Sequence, residues 1–265
     1  MKKIVIGLSV VLFLLVGCSS QTPTEEVKET LVVGMELAYP PFETKDEAGN
    51  AVGVSVDIAK AFADYLGQDI EIQNTNWTGL IPALETDQVD MVISSMTITE
   101  ARKESVDFSN GYAQAYLAFL VNVNSNVASA ADLNNSDKTI VVKTGSTGDT
   151  YVTNNYPLAT ILRLDDESAA VAEVVNGNAD AFIYDQLTIT RNVSANTESI
   201  KAIFIPDQKA EEWGAAFKKG SDLTEQFNAF LVEFKANGGF TDLIETHLSE
   251  EKAAFDAAGF TFFFE

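Results

Sequence analysis

Hydroxyls and one guanidinium crowd a single short stretch, Ser94-Ser95-Met96-Thr97-Ile98-Thr99-Glu100-Ala101-Arg102. The apolar run before it, Met91 to Ile93, reads as a buried strand, and Thr99 reads as the N-cap of a helix whose first turn holds Arg102. A cation is misplaced there, because the helix dipole is positive at that end, at a cost of about 0.3–1 kcal/mol. An anion gripped by the same arginine compensates. Hydroxyls, free backbone N–H groups and a guanidinium at the carboxyl end of a strand are what a carboxylate site needs. The same residues also suit a capped helix with a surface arginine, and the stretch alone leaves both readings open. A second anion-competent segment is Lys143-Thr144-Gly145-Ser146-Thr147-Gly148, a Gly/Ser/Thr loop before an expected helix that lacks the spacing of a nucleotide-phosphate loop. Asp185 ends the expected strand from Asp180, a place where an acid is commonly a helix N-cap.

Other chemistries lack their residues. The only cysteine is Cys18 and the only histidine His247, so a disulfide framework and Cys/His zinc sites are excluded, and no metal or cofactor is expected. A Ser–His–Asp site would have to use His247, which lies in an expected terminal helix with no nucleophile motif nearby and reads as a surface residue. The formal charge of −22 argues against binding nucleic acid or anionic lipid by charge.

With 265 residues, 46% of them hydrophobic, the chain can fill one large domain or two lobes. Residues 1–17 read as a secretory leader: Lys2 and Lys3 precede the apolar run Ile4 to Val16, which is too short to span a bilayer. Leu15-Val16-Gly17-Cys18 resembles the bacterial lipobox, implying that Cys18 is lipidated and that 18–29 is a flexible tether. From Thr30 on, strand and helix patterns alternate. Leu31 to Met35 reads as a parallel strand. Ile58, Ala61, Phe62, Tyr65 and Leu66 mark a helix stopped at Gly67, and Asp69 to Gln73 is the next strand. Pro40-Pro41-Phe42-Glu43 is expected to form an extended, stiff turn, with Phe42 as a packed corner. Such β-α-β alternation gives an α/β fold whose ligands sit outside the carboxyl ends of the strands, where Glu36, Tyr39, Trp77 and Ser94 to Thr97 all lie.

Taken in order, Tyr39-Pro40-Pro41-Phe42-Glu43, Gly53 to Asp57, Trp77 to Leu84, Ser94 to Arg102, Val106 to Ser109, Gly145-Ser146-Thr147 and Tyr184-Asp185 resemble the bacterial extracellular solute-binding proteins of amino-acid ABC importers. The resemblance implies a periplasmic-binding-protein-like fold, two α/β lobes joined by two crossing strands. Lobe 1 would be 30–112 plus 213–265 and lobe 2 117–208, with crossings near 112–116 and 209–212. It further implies that Arg102, helped by loop N–H groups at Thr147, grips the α-carboxylate of a free amino acid. Asp185, the Thr97 hydroxyl and the backbone around Ser94 or Ser95 would hold the α-ammonium. Tyr39 and Trp77 would sandwich the side chain. Glu36 with Lys143 resembles a glutamine-binding arrangement, since a carboxamide satisfies both without adding charge. Glutamine is therefore the expected ligand, with arginine or lysine next, although Glu36 and Lys143 could instead pair with each other. The expected protein is a monomeric, lipid-anchored extracytoplasmic component working with permease and ATPase subunits, not an enzyme. The alternative is a cyclohexadienyl/arogenate dehydratase-like enzyme on the same fold, with Glu36 as its only obvious acid. The Phe-rich end, Ala253 to Glu265, matches nothing in this pattern.

Overall fold

The computed structural model describes residues 29–264, so the leader, Cys18 and nearly all of the tether lie outside the described residues. Two five-stranded sheets organise the rest. In the first, the strand order is Asp69–Asn74, Thr30–Met35, Met91–Val92, Ala216–Lys218 and Val106–Phe108. Thr30–Met35 runs parallel to both neighbours, and Ala216–Lys218 is antiparallel to both of its own. Leu31, Val33 and Met35 are buried, as a central parallel strand requires. Helix Val54–Leu66 covers one face, pressing Phe62 against Phe227 and Phe230 of helix Leu223–Ala236. It ends at Gly67, whose left-handed conformation (φ 70) lets its N–H return to the last carbonyls.

The second sheet has the order Thr160–Leu164, Thr139–Lys143, Ala181–Asp185, Leu117–Asn122 and Ile200–Phe204. Every residue of Leu117–Asn122 is buried, because the strand lies inside the sheet with both faces covered. Between the sheets the chain crosses twice, and the two crossings pair antiparallel, Ala113–Ala115 against Glu211–Trp213.

The diproline segment differs from the extended turn expected of it. Tyr39 and Glu43 exchange backbone hydrogen bonds (2.8 and 3.0 Å), closing a tight turn. Its carbonyls are then taken up by the start of helix Val54–Leu66, with Val54 N–H donating to Pro41 and Ser55 N–H to Phe42. Gly53 makes that approach possible: a Cβ there would lie 2.4 Å from the Phe42 carbonyl oxygen, and its φ is +122. Phe42 is fully buried, the packed corner its position implied.

The aromatic tail has a place after all. Beyond helix Ser249–Ala258, the Phe263 carbonyl accepts from Gln114 N–H on the crossing strand (2.7 Å), and its ring packs on Phe42 and Trp213. Phe260 meets Phe204 of the second sheet, ring centres 4.9 Å apart. His247 is not the free surface residue its helix suggested. Its Nε2 lies 2.7 Å from Asp57, joining helix Gly239–His247 to Val54–Leu66. Among the described residues no helix is long and apolar enough to cross a membrane, and no His/Cys/Asp/Glu group could hold a metal ion.

Candidate ligand-binding site

The carboxyl ends of the parallel strands in both sheets face one cavity, lined by residues of both lobes. Glu36 leaves strand Thr30–Met35, Trp77 sits on the single turn after Asp69–Asn74, and Ser94, Ser95 and Thr97 follow Met91–Val92. From the other lobe, Thr147 opens helix Thr147–Asn155 and Asp185 ends Ala181–Asp185. All of these, with Tyr39 and Arg102, line the cavity; Lys143 does not.

Arg102 lies in the first turn of helix Glu100–Lys103, and the N-cap Thr99 accepts from its backbone N–H (3.2 Å). The guanidinium is not a free surface group. Nη1 donates to the Thr97 carbonyl (2.7 Å), Nη2 reaches across to the Gly145 carbonyl (3.2 Å), and the fork sits 5.1 Å over the Trp77 ring. Two carbonyls and an aromatic face thus offset the unfavourable dipole.

Asp185 does both things that its position allows. Its Oδ1 caps helix Gln186–Ala195, accepting from Leu187 and Thr188 N–H (3.0 and 3.1 Å). Its Oδ2 is buried without a hydrogen-bond partner, and burial raises the carboxyl above its ordinary range. The Tyr39 hydroxyl faces the Asp185 carboxylate without closing a full hydrogen bond to it, and burial, then the Asp185 charge, holds that phenol well above its usual value. A buried unpaired oxygen is costly and marks a place where a donor belongs.

Glu36 and Lys143 pair across the cleft, and Glu36 also accepts from Trp77 N–H (3.3 Å). Lys143 was expected beside the ligand side chain. It is instead buried behind this pair, because two opposite charges in a partly desolvated cleft satisfy each other first. Tyr39 and Trp77 share the cavity, but Tyr39 stacks on Phe42 and packs edge-on to Trp213, whereas Trp77 backs Arg102. Both tryptophans of the chain therefore line the cavity.

Two acids that sequence reasoning left without a role also line it. Glu43 accepts from Ser55 Oγ (2.6 Å), Ser95 Oγ (3.1 Å) and Ser94 Oγ (3.4 Å), while Ser94 Oγ accepts from Glu36 N–H (3.0 Å). The two serine hydroxyls are thus turned to Glu43. The motif Tyr39 to Glu43 contained this residue, but nothing in it showed that the acid would be buried under two later serines. The other acid, Glu211, accepts from Thr97 Oγ1 (2.9 Å) and Thr147 Oγ1 (2.8 Å).

Burial pushes the Glu43 carboxyl up to about 8 from an ordinary 4.5. Between those values the folded protein keeps a proton that the unfolded chain has released, so this contribution to stability declines as pH rises through the window and is gone above it. Thermal midpoints are expected to fall from about pH 5 to about pH 8, with Glu43→Gln flattening part of the fall. Glu167, also raised to about 8 by burial and by Asp185, supplies another part with the same sign. An unchanged slope in the Gln variant would remove Glu43 from this account.

Comparison with known proteins places these features in context. Residues 31–250 match the bacterial extracellular solute-binding proteins, family 3. The chain is 36% identical over 246 residues to the arginine-binding extracellular protein ArtP of Bacillus subtilis, covering 91% of this chain and 94% of that protein. It is 30% identical over 251 residues to the ABC transporter glutamine-binding protein GlnH of the same organism, covering 89% and 91%. The crystal structures of ArtJ, an arginine-, lysine-, histidine-binding protein from Geobacillus stearothermophilus, match the fold with a TM-score of 0.77 at 32% identity, over 83% of this chain and 96% of that one.

Proposed function

Because the chain belongs to the bacterial extracellular solute-binding proteins, family 3, we propose that it is the extracytoplasmic amino-acid-binding component of an ABC importer, taking a free polar L-amino acid, glutamine first. One observation carries this reading: the same cavity presents the Arg102 guanidinium and the buried Asp185 carboxylate, whose Oδ2 has no full hydrogen bond. A zwitterion answers both, its α-carboxylate on Arg102 and its α-ammonium on Asp185. Arg102 belongs to the lobe of the first sheet and Asp185 to that of the second, so each lobe holds half a site. We take 30–112 with 213–265, and 117–208, as the two bodies that close on the ligand about the crossing strands.

Glutamine is preferred because the Glu36 carboxylate on the cavity wall is already neutralised by Lys143 behind it, so the N–H₂ of a carboxamide meets it without an uncompensated charge. Arginine is the second reading. The cavity holds Glu36, Asp185 and Glu211 against Arg102 and the Lys143 behind Glu36, a surplus of acid that a cationic side chain would balance. Relatives named for binding rather than for a reaction support a transport component over a dehydratase. Titration calorimetry on protein unfolded and refolded to strip ligand decides between the two amino acids. Tighter binding of arginine than glutamine, with Lys143→Ala leaving glutamine affinity unchanged, would overturn the preference.

Membrane attachment is proposed from Leu15 to Cys18 alone. Cys18→Ala is expected to move the protein from the membrane fraction to the soluble one. Its retention with the membranes would count against lipidation.

A further inference from the structure

Glu211 has counted so far only as one acid among several, yet it is bonded to residues of both lobes. It stands on the crossing strand Glu211–Trp213, opposite Ala115, and belongs to neither large sheet. A single carboxylate oxygen, Oε2, accepts the hydroxyl of Thr97 from one lobe (2.9 Å) and of Thr147 from the other (2.8 Å). All three residues line the cavity.

A hydroxyl has one proton to donate and two lone pairs with which to accept. With both protons committed to Glu211, Thr97 and Thr147 offer only lone pairs to anything beside them. Lone pairs receive N–H donors and repel a carboxylate. We propose that Glu211 is the positioning residue for amine selectivity: by turning one hydroxyl of each lobe into an acceptor, it makes the cavity require an α-ammonium. The α-carboxylate is then left to Arg102 and to backbone N–H groups. This inference rests on the zwitterion reading of the site and deepens it, since it concerns which end of the ligand the two threonines recognise. A carboxylate that merely tied the crossing strand to the lobes would be indifferent to the amine.

The test uses the full chain as wild type, Glu211→Gln and Glu211→Ala, with folding checked by thermal unfolding. Each is titrated calorimetrically with L-glutamine and L-arginine and with their des-amino counterparts, glutaramic acid and guanidinovaleric acid. The wild type is expected to prefer the amino acid by about 100-fold or more, the scale set by hydrogen bonds to a charged group. In Glu211→Ala that preference should shrink at least about tenfold, through weaker binding of the amino acid and not of the des-amino acid. Glu211→Gln should stay within about threefold of wild type, because a carboxamide oxygen can accept both hydroxyl protons. If the alanine variant does not fold, Thr147→Val removes one of the two hydroxyls and should show part of the same loss. An unaltered preference in Glu211→Ala, or in Thr147→Val where that variant replaces it, would overturn the inference. A glutamine variant as impaired as the alanine one would overturn it too. Failure of the wild type to bind either amino acid would overturn the site reading along with it.

Discussion

Arg102→Ala is expected to weaken binding of the cognate amino acid by about two to three orders of magnitude, the effect of removing one partner of a desolvated charge pair. The fold should survive: the Thr99 cap bonds the backbone N–H of residue 102, which alanine retains, and the helix loses a cation from its positive end. Part of the loss comes from a second source, because Arg102 also ties the two lobes through the Gly145 carbonyl. Arg102→Lys separates the two. It restores a charge but not the planar fork that bonds Thr97 and Gly145 together, so it should recover only a fraction of the affinity. Calorimetry beside a thermal melt reads both quantities. Wild-type affinity in the alanine variant would remove Arg102 from the site.

Asp185→Asn should be nearly as damaging to binding, about 100-fold or more, for a different reason. Asparagine caps a helix about as well as aspartate, so helix Gln186–Ala195 keeps its start. The carboxylate charge disappears from the buried Oδ2 position, and with it the partner of an ammonium. The melting temperature is expected to hold or rise, since an unpaired buried carboxylate oxygen gives way to an uncharged amide. Affinity and stability thus move apart. A variant that lost both would show the carboxylate serving the fold in a way asparagine cannot, and one that kept its affinity would place the ammonium elsewhere.

The parts of this site legible in the sequence were those set by local pattern. Arg102 follows a hydroxyl-rich strand end at helix-capping distance, and Asp185 closes an apolar run, so both positions could be read without tertiary information. Strand and helix spans were legible for the same reason: Leu31 to Met35 and Asp69 to Gln73 fall on strands, and Ile58 to Leu66 on a helix. What escaped is what only the folded chain brings together. Glu43 meets Ser94 and Ser95 across half a lobe, and Glu211 meets Thr97 and Thr147, which precede it by 114 and 64 residues. An acid in a chain of formal charge −22 carries no mark to single it out. The turn at Pro40 was misjudged because proline restricts dihedral angles but does not say which carbonyls will be bonded; helix Val54–Leu66 decides that. The tail escaped because its partners, Gln114, Phe42 and Trp213, are scattered over the crossing strands and the diproline turn.

The placement of the two tryptophans makes the protein its own optical reporter. Trp213 also borders the cavity but is already dry, 3% exposed and packed among Tyr39, Phe42 and Phe263, so its emission forms a blue-shifted background. Trp77 is only partly buried and lies beneath the Arg102 guanidinium. A carboxylate drawn to that guanidinium changes the field over the indole and the water around it. With no third tryptophan to dilute the signal, titration in a plain cuvette follows site occupancy without a dye, and Trp77→Phe should remove most of the change while leaving the Trp213 background.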